Sequence, residues 1–113
     1  MDKEKFMEEF NAAWSMFLQY YFKSREIRGN RVILKRENMT VTIDTEKWSI
    51  DVRVGRRPLI LFYFKSVEYN GDELIFYANE NYCGPNLRMV YTGIFYIGCA
   101  PGCIITIPYS ISG

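Results

Sequence analysis

Apolar residues in the first quarter of the chain recur at helical spacing. Phe6, Phe10, Ala13, Trp14, Phe17, Leu18 and Tyr21 fall at i, i+4, i+7 and i+8. That pattern predicts one amphipathic helix over residues 3–23. Asp2 suits the N-cap, and Glu4, Glu8 and Glu9 suit the positive end of the helix dipole. Lys23 and Arg25 suit the negative end, and Gly29 allows an exit turn. A stripe of aromatics at this spacing reads as core contact with a sheet rather than as a ligand box. Phe10, Trp14 and Phe17 are therefore expected to be buried against Val32, Val41, Ile43, Trp48 or Ile50.

After Gly29 the period changes to two. Arg31–Arg36, Met39–Asp44 and Lys47–Val54 alternate, separated by Glu37-Asn38 and Thr45-Glu46. Two-residue turns at both gaps fix a register. Leu34 then faces Val41, Val32 faces Ile43, Ile43 faces Trp48 and Val41 faces Ile50, all on one side. The other side sets Arg31 opposite Asp44 and Asp44 opposite Lys47. A register that sorts both faces and pairs opposite charges predicts a three-stranded meander.

Gly55-Arg56-Arg57-Pro58 reads as a turn, and the run after it, LILFYF, is apolar on both faces. Leu59–Glu68 and Glu73–Asn79 read as strands on either side of Asn70-Gly71, the strongest hairpin signal. A two-residue turn there would set Glu68 against Glu73, so a bulge or longer loop is expected. Residues 81–86 read as a loop, and Leu87–Ile97 and Cys103–Tyr109 as two more strands. The expected architecture is α+β: one N-terminal amphipathic helix packed on a curved antiparallel β-meander of six or seven strands, able to roll into a half-barrel. Connections are expected to be local throughout. The 113 residues read as a single domain, 1–113.

Charge adds a second pattern. Residues 23–57 carry ten basic and five acidic side chains, whereas 89–113 carry none. The basic block makes Arg28, Arg36, Arg53, Arg56 and Arg57 candidates for an anion or a charged partner, because guanidinium forks match phosphate and carboxylate. The alternatives are a solvated or salt-bridged surface, nucleic acid, and an acidic protein. The uncharged stretch must be covered. Lone domains do not leave large apolar patches in water, so an interface is expected among Phe62, Phe64, Met89, Tyr91, Phe95, Ile105 and Ile107. The competing expectation is that the sheet buries both of its faces internally. Gly93, Gly98, Pro101, Gly102 and Pro108 interrupt the stretch, which argues against a membrane span.

The absence of histidine excludes Ser–His and Cys–His catalysis and imidazole metal ligation. Three cysteines (Cys83, Cys99, Cys103) include no CxxC pair. The C-x3-C pair reads as inert thiols, as a hairpin disulfide or as half of a metal site; no metal and no cofactor is expected. Carboxylates pair as Glu68 with Asp72 or Glu73, and Asp44 with Asp51, but on turns or a solvated face. Asn79, Asn81, Tyr82 and Asn86 are polar enough to line a pocket mouth. No spacing matches a catalytic motif, so no catalytic residue is assigned.

The expected function is a small non-catalytic binding protein, an accessory factor of viral or mobile-element kind. It works through protein–protein contacts and self-associates as a homo-oligomer. The first alternative is nucleic-acid or phosphorylated-ligand binding by residues 23–57. The second is a small ligand-pocket protein or an enzyme without histidine. The first ten residues lack a signal-peptide profile, so the expected location is cytoplasmic, or the host-cell interior for a viral protein.

Overall fold

The computed structural model describes residues 1–79, 90–92, 95–99 and 103–108. It shows one N-terminal helical segment followed by an antiparallel sheet that stays open rather than closing into a barrel. Helix α1 spans Lys3–Ala13, capped by Asp2, whose carboxylate accepts from the Glu4 N–H. It runs on through a π-helical turn at Trp14–Leu18 into α2, Gln19–Tyr21.

The π turn shifts the buried stripe by one residue at its end. Phe6, Phe10, Ala13, Phe17 and Leu18 are buried as the stripe requires, and Phe22 is buried in place of the half-buried Tyr21. A π turn adds a residue to the helical repeat and rotates the following side chains. Trp14 lies at the margin, partly buried against the core. The Arg25 guanidinium lies 4.9 Å from its ring centroid.

Nine strands lie among the described residues: β1 Ser24–Arg28, β2 Arg31–Arg36, β3 Met39–Asp44, β4 Ser49–Val54, β5 Arg57–Tyr69, β6 Glu73–Ala78, β7 Val90–Thr92, β8 Phe95–Cys99 and β9 Cys103–Pro108. All seven segments expected as strands contribute to the sheet. Ser24–Arg28 adds an edge strand, and in place of the single expected strand 87–97 stand β7 and β8, the latter running on to Cys99. The order is β1-β2-β3-β4-β5-β6-β9-β8-β7. The chain is a meander as far as β6. The local-connection expectation fails there, because β9, not β7, pairs with β6.

The β2–β3 register is the expected one, with Arg31 opposite Asp44 and Leu34 opposite Val41. The β3–β4 register differs by two residues. Asp44 pairs with Ser49, Ile43 with Ile50 and Val41 with Val52. The cause is a longer turn. Asp44 Oδ1 accepts from the backbone N–H groups of Glu46 (2.8 Å) and Lys47 (2.9 Å), and Trp48 turns at a positive φ of 54°. Short acceptors that bond the backbone two residues on favour such turns. A shift of two preserves parity, so every side chain keeps its expected face. Trp48 leaves the ladder, but its ring still packs edge-on to Phe6 and Phe64, 5.9 Å from each.

β5 is the strand that joins the two parts of the sheet. Its first half pairs with β4 and its second with β6. A register shift between Phe64 and Ser66 moves the core parity from Phe62 and Phe64 to Val67. The turn after β5 is longer than two residues, as the Glu68–Glu73 clash requires. Asn70 Oδ1 accepts from the Asp72 and Glu73 N–H groups, and Glu68 lies opposite Ile75. The core lies between the helix and the inner sheet face, where Leu34, Ile43, Ile50, Phe64, Leu74 and Phe76 are all buried. The part of the sheet around β6 is covered on both sides, since Ile75 and its neighbour Thr106 are also buried.

Candidate functional site

The two faces of the β3–β4–β5 region differ in chemistry because strand parity separates their side chains. On the inner face, Ile50 lies opposite Phe62 and Val52 opposite Ile60. On the outer face, Ser49 lies opposite Tyr63 and Asp51 opposite Leu61. A groove of about 400 Å³ opens there, lined by Leu61 and Tyr63 together with Arg31, Asp44, Lys47, Asp51 and Arg53. Leu59 (43%), Leu61 (47%) and Tyr63 (39%) are exposed to solvent, three large apolar side chains at alternate positions of one strand.

The charged rows beside them are partly neutralised. Arg31 Nε approaches Asp44 Oδ2 at 3.6 Å, Arg53 Nε approaches Asp51 Oδ1 at 3.3 Å, and Arg28 Nε approaches Glu26 at 2.7 Å. Exposed pairs of this kind contribute little to stability. Lys35 and Lys47 add positive charge beyond the three pairs. Asp44 is held below the ordinary carboxylate range. The Lys47 backbone N–H contributes most, burial pulls the other way, and the Glu46 N–H with the charges of Arg31 and Lys47 add to the lowering. It is a fixed anion that organises the turn, not a proton donor.

The five basic candidates do not form one cluster. Arg28 sits at the β1–β2 turn, where the Asn30 carbonyl accepts from Thr45. The remaining four lie at the opposite end of the strands, where the Gly55 N–H bonds the Asn38 carbonyl and ties the β4–β5 turn to the β2–β3 turn. Arg36 is half-buried, and its Nη1 donates to the Tyr21 carbonyl at 3.0 Å. It satisfies an acceptor at the end of the helical segment rather than facing a ligand. Arg53 pairs with Asp51, and Arg56 and Arg57 are exposed.

The interface candidates divide similarly. Phe62 and Phe64 (2% exposed) and Ile107 (1%) lie in the chain's own core. The reason is parity: they share a face with Ile50, Val52 and Leu74. The exposed members of LILFYF are the odd positions. The turn alone points the other way: Val54 pairs with Arg57, a register that continued would set Ile50 against Leu61, and the shift between Val52 and Arg53 brings Phe62 inward instead. Tyr91, Phe95 and Ile105 take ladder positions in β7, β8 and β9, and Met89 lies outside the described residues.

Of the carboxylate pairs, Asp44 and Asp51 do line one groove, each facing an arginine, whereas Glu68 and Glu73 are engaged separately. Glu68 accepts from the Tyr77 hydroxyl at 2.9 Å, and this hydrogen bond is the main reason Tyr77 is shifted above its ordinary pKa. Asn70 donates to Glu73 within the turn. Asn79 is exposed; Asn81, Tyr82 and Asn86 lie outside the described residues. Among the described residues no group of three Cys, Asp or Glu is placed to hold a metal ion, and no helix is long and apolar enough to cross a membrane. A second exposed apolar pair, Met16 and Tyr20, lies on the outer side of the helical segment. No protein-family model, no curated protein and no solved structure matches this chain.

Proposed function

We propose that this chain is a small non-catalytic binding protein whose contact surface is the outer face of β4 and β5. The observation that carries this reading is the exposed row Leu59, Leu61 and Tyr63 beside a groove edged by Arg31, Lys47 and Arg53. An apolar strip rimmed by polar groups is what protein partners use. The partner is a protein presenting apolar side chains next to carboxylates; a second copy of this chain is one such partner. The absence of histidine, and the pairing of the groove carboxylates Asp44 and Asp51 with Arg31 and Arg53, favour binding over catalysis.

The test uses Leu61→Glu. Its side chain is exposed, so the variant should fold with wild-type circular dichroism. Light scattering at high micromolar concentration, with mass spectrometry of proteins co-purified from the native cell, should show a lower mass than the wild type or the loss of specific partners. A variant that keeps its full mass distribution and every partner refutes the reading.

A second reading is anion binding at the β4–β5 turn, favoured by the exposure of Arg56 and Arg57 next to Arg53. Arg56→Ala with Arg57→Ala should weaken binding of a nucleic acid and flatten its salt dependence, because each lost phosphate contact reduces counterion release. An unchanged slope removes this site.

A further inference from the structure

The β8–β9 ladder pairs Tyr96 with Thr106, Ile97 with Ile105, Gly98 with Ile104 and Cys99 with Cys103. The two cysteines are thus direct cross-strand partners at the closed end of a hairpin. Directly opposed residues of an antiparallel pair have Cα atoms about 4.5–5.5 Å apart, inside the roughly 4.4–6.8 Å range that a disulfide spans. Of the two readings of C-x3-C that require the thiols to act together, metal binding needs two further ligands and a disulfide needs none.

We propose that Cys99 and Cys103 form a reversible intrachain disulfide that clasps the β8–β9 hairpin. The oxidant is a small-molecule disulfide of the glutathione class. One cysteine thiolate attacks it, its S–S bond breaks, and one glutathione thiol leaves. The second cysteine then attacks the mixed disulfide and releases the other glutathione. Two thiols lose two electrons and two protons, and one S–S bond forms. The ladder register sets the two residues directly opposite each other, so the mixed disulfide closes within the hairpin. The clasp sits next to the core. β9 lies between β6 and β8, Ile107 is buried, and the Tyr21 hydroxyl donates to the Pro108 carbonyl at 2.7 Å. Oxidation therefore locks the hairpin whose inner strand completes the sheet.

The test treats the reduced full-length chain with glutathione disulfide, alkylates remaining thiols with iodoacetamide and digests with trypsin. The sequence has no Lys or Arg after Arg88, so Cys99 and Cys103 fall in peptide 89–113, and Cys83 falls in peptide 66–88. The expected product is peptide 89–113 with no alkylation and a mass lower by two hydrogens, restored to two alkylations by reductant. Cys83→Ser should give the same closure, and amide exchange over 95–108 should slow on oxidation in the wild type but not in Cys103→Ser. The proposal is overturned if both cysteines of peptide 89–113 are alkylated after oxidation. It is equally overturned if either keeps a glutathione adduct, or if either is cross-linked to Cys83.

Discussion

Asp44 carries more of the local structure than any other charged residue described here. Its carboxylate holds two backbone N–H groups of the turn and faces Arg31. Asp44→Ala should cost about 1.5–3 kcal/mol in urea unfolding at pH 7, the range for hydrogen bonds to a charged group. The pH dependence has a definite sign. The folded-state pKa lies below the ordinary value of 3.8, so the stabilisation is present above the unfolded value and is lost as pH falls through the folded one. The wild type and the variant should therefore converge in stability at acid pH. A constant gap from pH 7 down to pH values well below 3.8 would show that the carboxylate charge is not what matters. Arg36 is a second structural residue in the guise of a binding one. Arg36→Ala should lower stability by about 0.5–1.5 kcal/mol through the lost bond to Tyr21, whereas Arg56→Ala should stay within about 0.5 kcal/mol of wild type as an exposed turn residue. Equal effects in thermal melts would contradict the different roles assigned to them.

At the scale of elements, the helix–sheet contact rests on Phe6, Phe10 and Phe17 rather than on Trp14. Phe10 is fully buried and stacks on Phe6 with centroids 5.7 Å apart. Phe10→Ala should destabilise by about 3–5 kcal/mol, the usual loss for a core aromatic. Trp14→Ala should cost clearly less, because one side of the ring meets Arg25 at the margin of the core. Denaturant titrations of both variants check the order, and a larger loss for Trp14 would mean that its ring, not that of Phe10, anchors the helix on the sheet. The edge strand β1 is exposed at every position and carries Arg25, Glu26 and Arg28. Charge on a short edge discourages pairing with another sheet, which makes the outer face a better contact surface than the edge.

For the whole molecule, the open question raised by the uncharged stretch was whether its apolar residues face a partner or the chain itself. For Ile107 the answer is the chain. Ile107→Ala should lower stability by about 2–5 kcal/mol with no direct effect on oligomeric mass. Leu61→Glu should do the reverse, changing association and sparing stability. Urea unfolding and light scattering on the same two proteins separate the roles; a variant pair with the effects exchanged would invert the assignment of core and surface.

The helix, the meander from β2 to β6, the longer turn before Glu73 and the sorting of side chains by face in β2, β3 and β4 were readable in the sequence. Each follows from short-range periodicity or turn chemistry: the Phe6–Phe10–Phe17 spacing, the alternation of 31–36 and 39–44, and the Asn70-Gly71 signal. Other features were decided only in three dimensions. The π turn that brings Phe22 rather than Tyr21 into the core is selected by packing on the sheet, since nothing in WSMFL encodes it locally. The two-residue shift of β4 depends on how the Asp44 carboxylate closes the turn, and both registers satisfy the same alternation. The placement of β9 beside β6 is a long-range pairing that no local pattern specifies. The roles of Arg36, Phe62 and Ile107 changed for the same reason. A side chain's type states what it is able to bind, but its parity in the sheet and its neighbours across the core decide whether it faces a ligand at all.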